Sequence, residues 1–188
     1  MKNNSPNIAR LIALCIDKNT KAQHELYHLY ANAMYNVAFR IIKDEHFAQD
    51  IMQEGFLKAF SNLEKFKNEV AFGAWLKRII VNCSIDFCKK EKRISTDEWQ
   101  ETLHENIEIP TEVILNDVKN FQVQQILNAM KSLKDSYNVL LSLYYIEGYD
   151  QEEICDILQI SNANFRTTLS RAKESLRIKF KKNEINER

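Results

Sequence analysis

The chain has 188 residues, with 26 Lys and Arg against 26 Asp and Glu and a formal net charge of zero, a balance that excludes a simple nucleic-acid coat. Only three glycines and two prolines interrupt it, and long stretches run at helical period, so the composition predicts an all-α protein. The length suits one large domain or two small ones, each able to bury a modest core.

Cys15, Cys83, Cys88 and Cys155 are the four cysteines. They lack paired metal spacing and the density of a secreted disulfide scaffold, which predicts buried thiols in a reducing cytosol. No apolar run approaches the roughly 18 residues that a membrane span needs, and Met1 to Pro6 is polar rather than basic and then apolar. A cytoplasmic chain with no direct membrane insertion is the expectation.

From Ile8 to Ile16, the apolar residues Ile8, Leu11, Ile12 and Cys15 predict a first helix. A longer one is expected from about Lys21 to Lys43, with Leu26, Leu29, Tyr30, Ala33, Met34, Val37, Ala38 and Ile41 on a wide stripe. Inside it, His24-Glu25-Leu26-Tyr27-His28 matches H-E-x-x-H, the pattern of zinc hydrolases in which two histidines bind the metal and the glutamate acts as general base. No period-two segment accompanies it. The nearby candidates for a third ligand, Asp44, Glu45, His46 and Glu54, sit in or beyond a turn, so an exposed helix face with no metal is the better account.

A third helix is predicted from Phe47 to Leu63, with Ile51, Met52, Leu57, Phe60 and Leu63 turned inward. Asp50, Gln53, Glu54 and Lys58 line its opposite side at helical spacing. Taken alone, that ridge is an ordinary solvated face. A fourth helix, from about Val70 to Lys92, carries a buried stripe of Phe72, Leu76, Ile79, Cys83 and Phe87 and a polar stripe of Arg78, Asn82, Asp86, Lys89 and Arg93. Its basic end could track a nucleic-acid backbone, while Trp75 and Asn82 offer a stacking surface and a base-reading amide two turns apart. Trp75 serves equally well as a core residue.

Residues 94–110 are acidic and have no sustained period, which predicts a flexible linker. Thr111 can cap the next helix, which carries Ile114, Val118, Phe121, Ile126, Met130 and Leu133. Ser136 to Ile146 then forms a scaffold helix. Asp150 and Glu153 make a capping box for a short helix bearing Ile154, Ile157 and Leu158, and a second helix starts at Ser161 after a tight break. There, Phe165, Leu169, Ala172 and Leu176 form a buried stripe, with Asn164, Thr167, Thr168 and Arg171 on another face. From Asn164 to Lys182 seven positive charges, Arg166 among them, meet one negative, Glu174. A capped helix, a tight turn and a basic second helix outline a helix-turn-helix suited to a DNA major groove.

With both halves in view, the sequence resembles the small, two-domain bacterial sigma factors of the extracytoplasmic-function group within the sigma-70 family. Leu26 to Ile42 resembles the first helix of that family's domain two. Ala48 to Phe60 follows its D-x-x-Q-E-x-F-x-K-A-aromatic signature, Phe72 to Asn82 fits its F-x-x-W-L-x-x-I-x-x-N segment, and Glu153 to Arg177 resembles its domain four. About four-fifths of the chain is covered, in the family's order.

The resemblance implies two small helical domains, residues 1–93 and 111–188, joined by the acidic linker 94–110, and an initiation factor that performs no chemistry and needs no cofactor. Its partners would be core RNA polymerase, promoter DNA and an anti-sigma factor, membrane-anchored in many relatives. Asp50, Gln53 and Glu54 would dock on the clamp helices of the polymerase largest subunit. Trp75, Arg78, Asn82, Lys89 and Arg93 would hold the minus-ten element, with Asn82 near a flipped base and Trp75 at the melting edge. Asn164, Arg166, Thr167, Thr168 and Arg171 would read the minus-thirty-five element, and the linker would cross the polymerase cleft. Gln159 stands where the family has glycine, Cys155 where alanine is common, and Phe165 where a smaller aliphatic residue is usual. Without the resemblance, a stand-alone helix-turn-helix regulator accounts for the C-terminal half, and a zinc hydrolase using His24, Glu25 and His28 is a remote third reading.

Overall fold

The computed structural model describes residues 6–67, 69–91, 94 and 119–186. Among these residues there are eight α-helices and no strand: α1 (Pro6–Ile16), α2 (Thr20–Ile42), α3 (Glu45–Ser61), α4 (Phe72–Lys90), α5 (Lys119–Lys131), α6 (Asp135–Leu141), α7 (Gln151–Leu158) and α8 (Asn162–Asn186). They fall into two compact units, one ending at Lys90 and the other beginning at Glu91.

In the first unit, α2, α3 and α4 pack on one another and α1 packs on α2. Local chemistry sets the corners. Asn19 caps α2 by accepting from the Ala22 amide at 3.0 Å, and Asp44 caps α3 by accepting from the Phe47 amide at 3.0 Å. Between them Lys43 takes a left-handed conformation, with φ of 61°, and its amide returns to the Phe39 carbonyl at 2.8 Å.

The core has two notable contacts. Gly55 lies so close to α4 that a Cβ there would collide with the Ile80 side chain, which explains a glycine in mid-helix. Fully buried Phe72 sits within 5.3 Å of Tyr30, 5.7 Å of Phe66 and 5.7 Å of Trp75, ring centroid to centroid.

Several sequence expectations are corrected. Leu29 is 54% exposed and Leu57 68% exposed, although both were assigned inward positions. The buried side of α3 is Ala48, Ile51, Met52, Gly55, Phe56 and Ala59, and Leu57 falls on the other side of the helix. Leu63 lies beyond α3, in a 3-10 turn. Val70 precedes α4 and is exposed, while Ile80, Val81, Ser84, Ile85 and Cys88 join its buried sector. That sector is wide because α4 meets both α2 and α3.

In the second unit, α5, α6 and α7 each pack on α8. Met130, Leu133, Leu141 and Ala172 form a core to which Ile126, Leu127, Tyr137, Leu169 and Leu176 add partly buried surface. The scaffold helix expected over Ser136 to Ile146 is broken: α6 ends at Leu141, and Ser142–Ile146 winds as a π turn in which the Glu147 amide reaches the Ser142 carbonyl at 2.9 Å. The acidic stretch 94–110 lies outside the described residues apart from Ile94, which is buried. Arg93, Thr111, Ile114 and Val118 also lie outside them.

Candidate functional site

Three exposed features stand out on the two units. The first is the ridge of α3. Asp50, Gln53, Glu54 and Leu57 are all exposed, and their spacings of three, one and three place them on one face. Glu54 is ion-paired with Lys58 at 2.6 Å, both side chains being half exposed. The Lys58 ammonium also donates to the Cys83 thiol at 3.4 Å. Its pKa is raised, first by the hydrogen bond to Glu54, while burial pushes the Cys83 thiol up. The carboxylate on the ridge is thereby held in place by a lysine tied to α4. Leu57 is the residue that sequence reasoning missed here. An apolar side chain on a charged ridge gives no period of its own, and α3 has apolar residues on either side of it.

The second feature is the outer face of α4. Asn82 is exposed, and Arg78 and Lys89 are half-buried. Trp75 lies two turns before Asn82; it is partly exposed, and its ring rests 5.2 Å from Phe66 and 5.7 Å from Phe72. An indole backed by two rings is a rigid platform with one accessible side, suited to stacking on a flat ligand.

The third feature is the pair α7 and α8. The capping box expected at α7 is present, with the Glu153 amide donating to Asp150 at 2.8 Å and the Asp150 amide to Glu153 at 3.0 Å. Gln159 ends the helix at φ 60° and ψ 48°, so it accepts the left-handed backbone that glycine usually provides, and the Ile160 amide bonds back to the Cys155 carbonyl at 3.0 Å. Replacing Gln159 by glycine is expected to stabilise this unit by about 0.5–1 kcal/mol, the relief of left-handed strain exceeding the added entropy of the unfolded chain. Urea denaturation measures it, and a loss of stability would show that the Gln159 side chain contributes more than its backbone costs.

Beyond the turn, Ser161 accepts from the Asn164 amide at 3.2 Å and so caps α8. The side-chain Oδ1 of Asn162 accepts from Gln151 Nε2 at 2.8 Å and from the Cys155 thiol at 3.4 Å. These bonds clamp the start of α8 to α7 through residues that no sequence pattern marks, because the partners are eleven and seven residues apart.

The residues assigned to one exposed face of α8 do not all share it. Thr168 is 7% exposed and lies with Phe165, 2% exposed, and Ala172 on the packed side. It stands three residues after Phe165 and four before Ala172, so the helix carries it inward, which corrects its placement on the outer face. Asn164, Thr167 and Arg171 do share a face at spacings of three and four, while Arg166 is exposed and lies about 100° around the helix from Thr167. The Thr167 hydroxyl donates to the Ala163 carbonyl at 3.0 Å. Lys173, Arg177 and Lys179 also make contacts inside the unit. Lys173 sits 5.7 Å from the Tyr145 ring, Arg177 pairs with Glu174 at 2.8 Å, and Lys179 donates to the Ser132 carbonyl just past α5 at 2.9 Å.

Each unit holds most or all of one family match. The sequence matches Sigma-70 region 2 over residues 26–94 and Sigma-70, region 4, over residues 123–176. The chain belongs to the sigma-70 family, in its extracytoplasmic-function group. It is 29% identical to the ECF RNA polymerase sigma factor SigM of Bacillus subtilis (strain 168) over 156 residues, covering 81% of this chain and 91% of that one. It is 27% identical to the ECF RNA polymerase sigma factor SigW of the same organism, covering 81% and 86%. It shares the fold of the sigma factor RpoE from Bartonella quintana, solved with the anti-sigma factor NepR, with a TM-score of 0.54 and 21% identity, covering 84% of this chain and 96% of that one. As a sigma factor it directs RNA polymerase to promoters and is not an enzyme, which removes the zinc-hydrolase alternative. No helix among the described residues is long and apolar enough to cross a membrane.

Proposed function

We propose that this sigma factor divides promoter recognition between its two units. Residues 1–93 act as domain two, binding core polymerase and the minus-ten element, and residues 111–188 act as domain four, binding the minus-thirty-five element. The acidic residues 94–110 connect them through the polymerase cleft. The observation that carries this reading is that the exposed ridge of α3 and the exposed face of α8 fall in the stretches matching region 2 and region 4.

Asp50, Gln53 and Glu54 dock on the polymerase clamp, with Leu57 as an apolar contact between polar neighbours. Trp75, Arg78, Asn82, Lys89 and Arg93 engage the melted minus-ten element, Trp75 by stacking and Asn82 by base contacts. Asn164, Thr167 and Arg171 face the minus-thirty-five groove, and Arg166 meets the flanking backbone. Thr168 supports that face from beneath. The chain works in the cytoplasm, and an anti-sigma factor holds it inactive. That partner is suggested by the NepR complex of the Bartonella quintana protein.

Run-off transcription with purified core polymerase on a genomic promoter library tests the whole scheme. New, discrete start sites are expected only when the protein is added; duplex binding without any dependent transcript would favour a stand-alone regulator. Arg171→Ala is expected to weaken duplex binding and lower the salt slope of log K by about 0.9 if it meets one phosphate. An unchanged slope removes the phosphate contact.

A further inference from the structure

We propose that His24 and His28 form a two-ligand site for a divalent transition-metal ion, of the nickel or copper type, on the exposed face of α2. Both imidazoles are exposed, four residues apart, and their Nε2 atoms approach to 3.0 Å. The ring centroids are 4.2 Å apart and the planes cross at 73°, so the rings meet at their nitrogen-bearing edges.

The ligand set decides which ion fits. Two imidazoles with water in the remaining positions suit the octahedral or square-planar preference of Ni2+ and Cu2+ better than Zn2+, which takes three or four protein ligands in its tetrahedral sites.

In the metal-free chain, one Nε2–H donates to the other ring nitrogen. With an ion bound, both rings carry their proton on Nδ1 and both Nε2 lone pairs face the metal. Among the described residues no group of three His, Cys, Asp or Glu side chains could close such a site, so water completes the coordination sphere. In a sigma-70 family chain the H-E-x-x-H pattern serves as a binding pair, with no third protein ligand among the described residues.

The test uses the full chain, purified without a polyhistidine tag, titrated with nickel chloride, copper chloride and zinc chloride by calorimetry. One equivalent of Ni2+ or Cu2+ is expected, each bound more tightly than Zn2+ and at least tenfold more weakly in His24→Gln and in His28→Gln. Excess Ni2+ is expected to raise the thermal midpoint of the wild type by about 5 °C and to leave both variants unmoved, because an ion bound only by the folded helix stabilises it. Both positions are exposed, so circular dichroism checks that the variants keep their helices. Equal binding by wild type and variants, preference for Zn2+, or no binding at all would each overturn the site.

Discussion

Replacing Asp50 and Glu54 together by alanine is expected to weaken association with core polymerase about a hundredfold or more. Each carboxylate that bonds a positive or amide group across an interface contributes roughly 1.5–3 kcal/mol, and about 1.4 kcal/mol corresponds to a factor of ten. Both side chains are exposed, so the variant should keep its helix content and its thermal midpoint. Glu54 is half exposed and pairs with Lys58, and breaking a solvated pair of that kind costs the free protein little. Analytical ultracentrifugation or fluorescence anisotropy with purified core enzyme measures the loss. Normal association would remove the docking role of the ridge. Leu57→Ser separates the polar from the apolar part of the same surface: a smaller loss, with folding intact, is expected if Leu57 buries against the polymerase.

The second large effect concerns the fold beneath the face of α4 proposed to meet the minus-ten element. Phe72→Ala is expected to destabilise the first unit by about 3–5 kcal/mol. Its ring is fully buried and touches Tyr30 from α2, Phe66 before α4 and Trp75 on α4 itself. A domain of this size is stable by only about 5–15 kcal/mol, so the change removes a large share of the total. Urea denaturation followed by circular dichroism reads it. Trp75→Ala, at a partly exposed position, should cost less in stability and more in promoter opening. If both variants cost the same in stability and neither changes opening, Trp75 is a core residue only.

The helices were legible from apolar spacing, and the start of α7 from the Asp150–Glu153 capping box, a bond local enough to be written in four consecutive residues. The caps at Asn19, Asp44 and Ser161 came from the structure. The sides of the helices were less legible. Thr168 was placed outside because it lies at the margin of an apolar stripe, whereas Leu57 was placed inside on its apolar character alone although it stands opposite the buried side of α3. The neighbouring helices determine how far around α3 or α8 the buried sector extends. Leu29 was misplaced for the same reason. The break after α6 was not legible either: Ser142 to Ile146 is as apolar as the helix before it, and the π turn places Leu143 in the core while leaving Tyr145 57% exposed.

The resemblance supplied what periodicity could not. Asp50, Gln53 and Glu54 look like any solvated face until their signature is recognised, and their proposed role in docking comes from that signature, since exposed residues leave no mark on the core. The Gln151, Asn162 and Cys155 cluster shows the opposite limit, because hydrogen bonds between two helices depend on where the turn returns the chain.

By itself, the sequence determined that this protein is helical, that it has a region 2 and a region 4 of the sigma-70 family, and that Asp150 and Glu153 cap α7. Those properties rest on local periodicity, short-range hydrogen bonds and signatures a few residues long. The tertiary structure alone decided that Leu57 joins the exposed ridge, that Thr168 leaves the face of α8, that Trp75 is both packed and accessible, and that two histidine nitrogens meet at 3.0 Å. Each of these depends on what the neighbouring helices cover or on how side chains turn, and both are settled only when the helices pack.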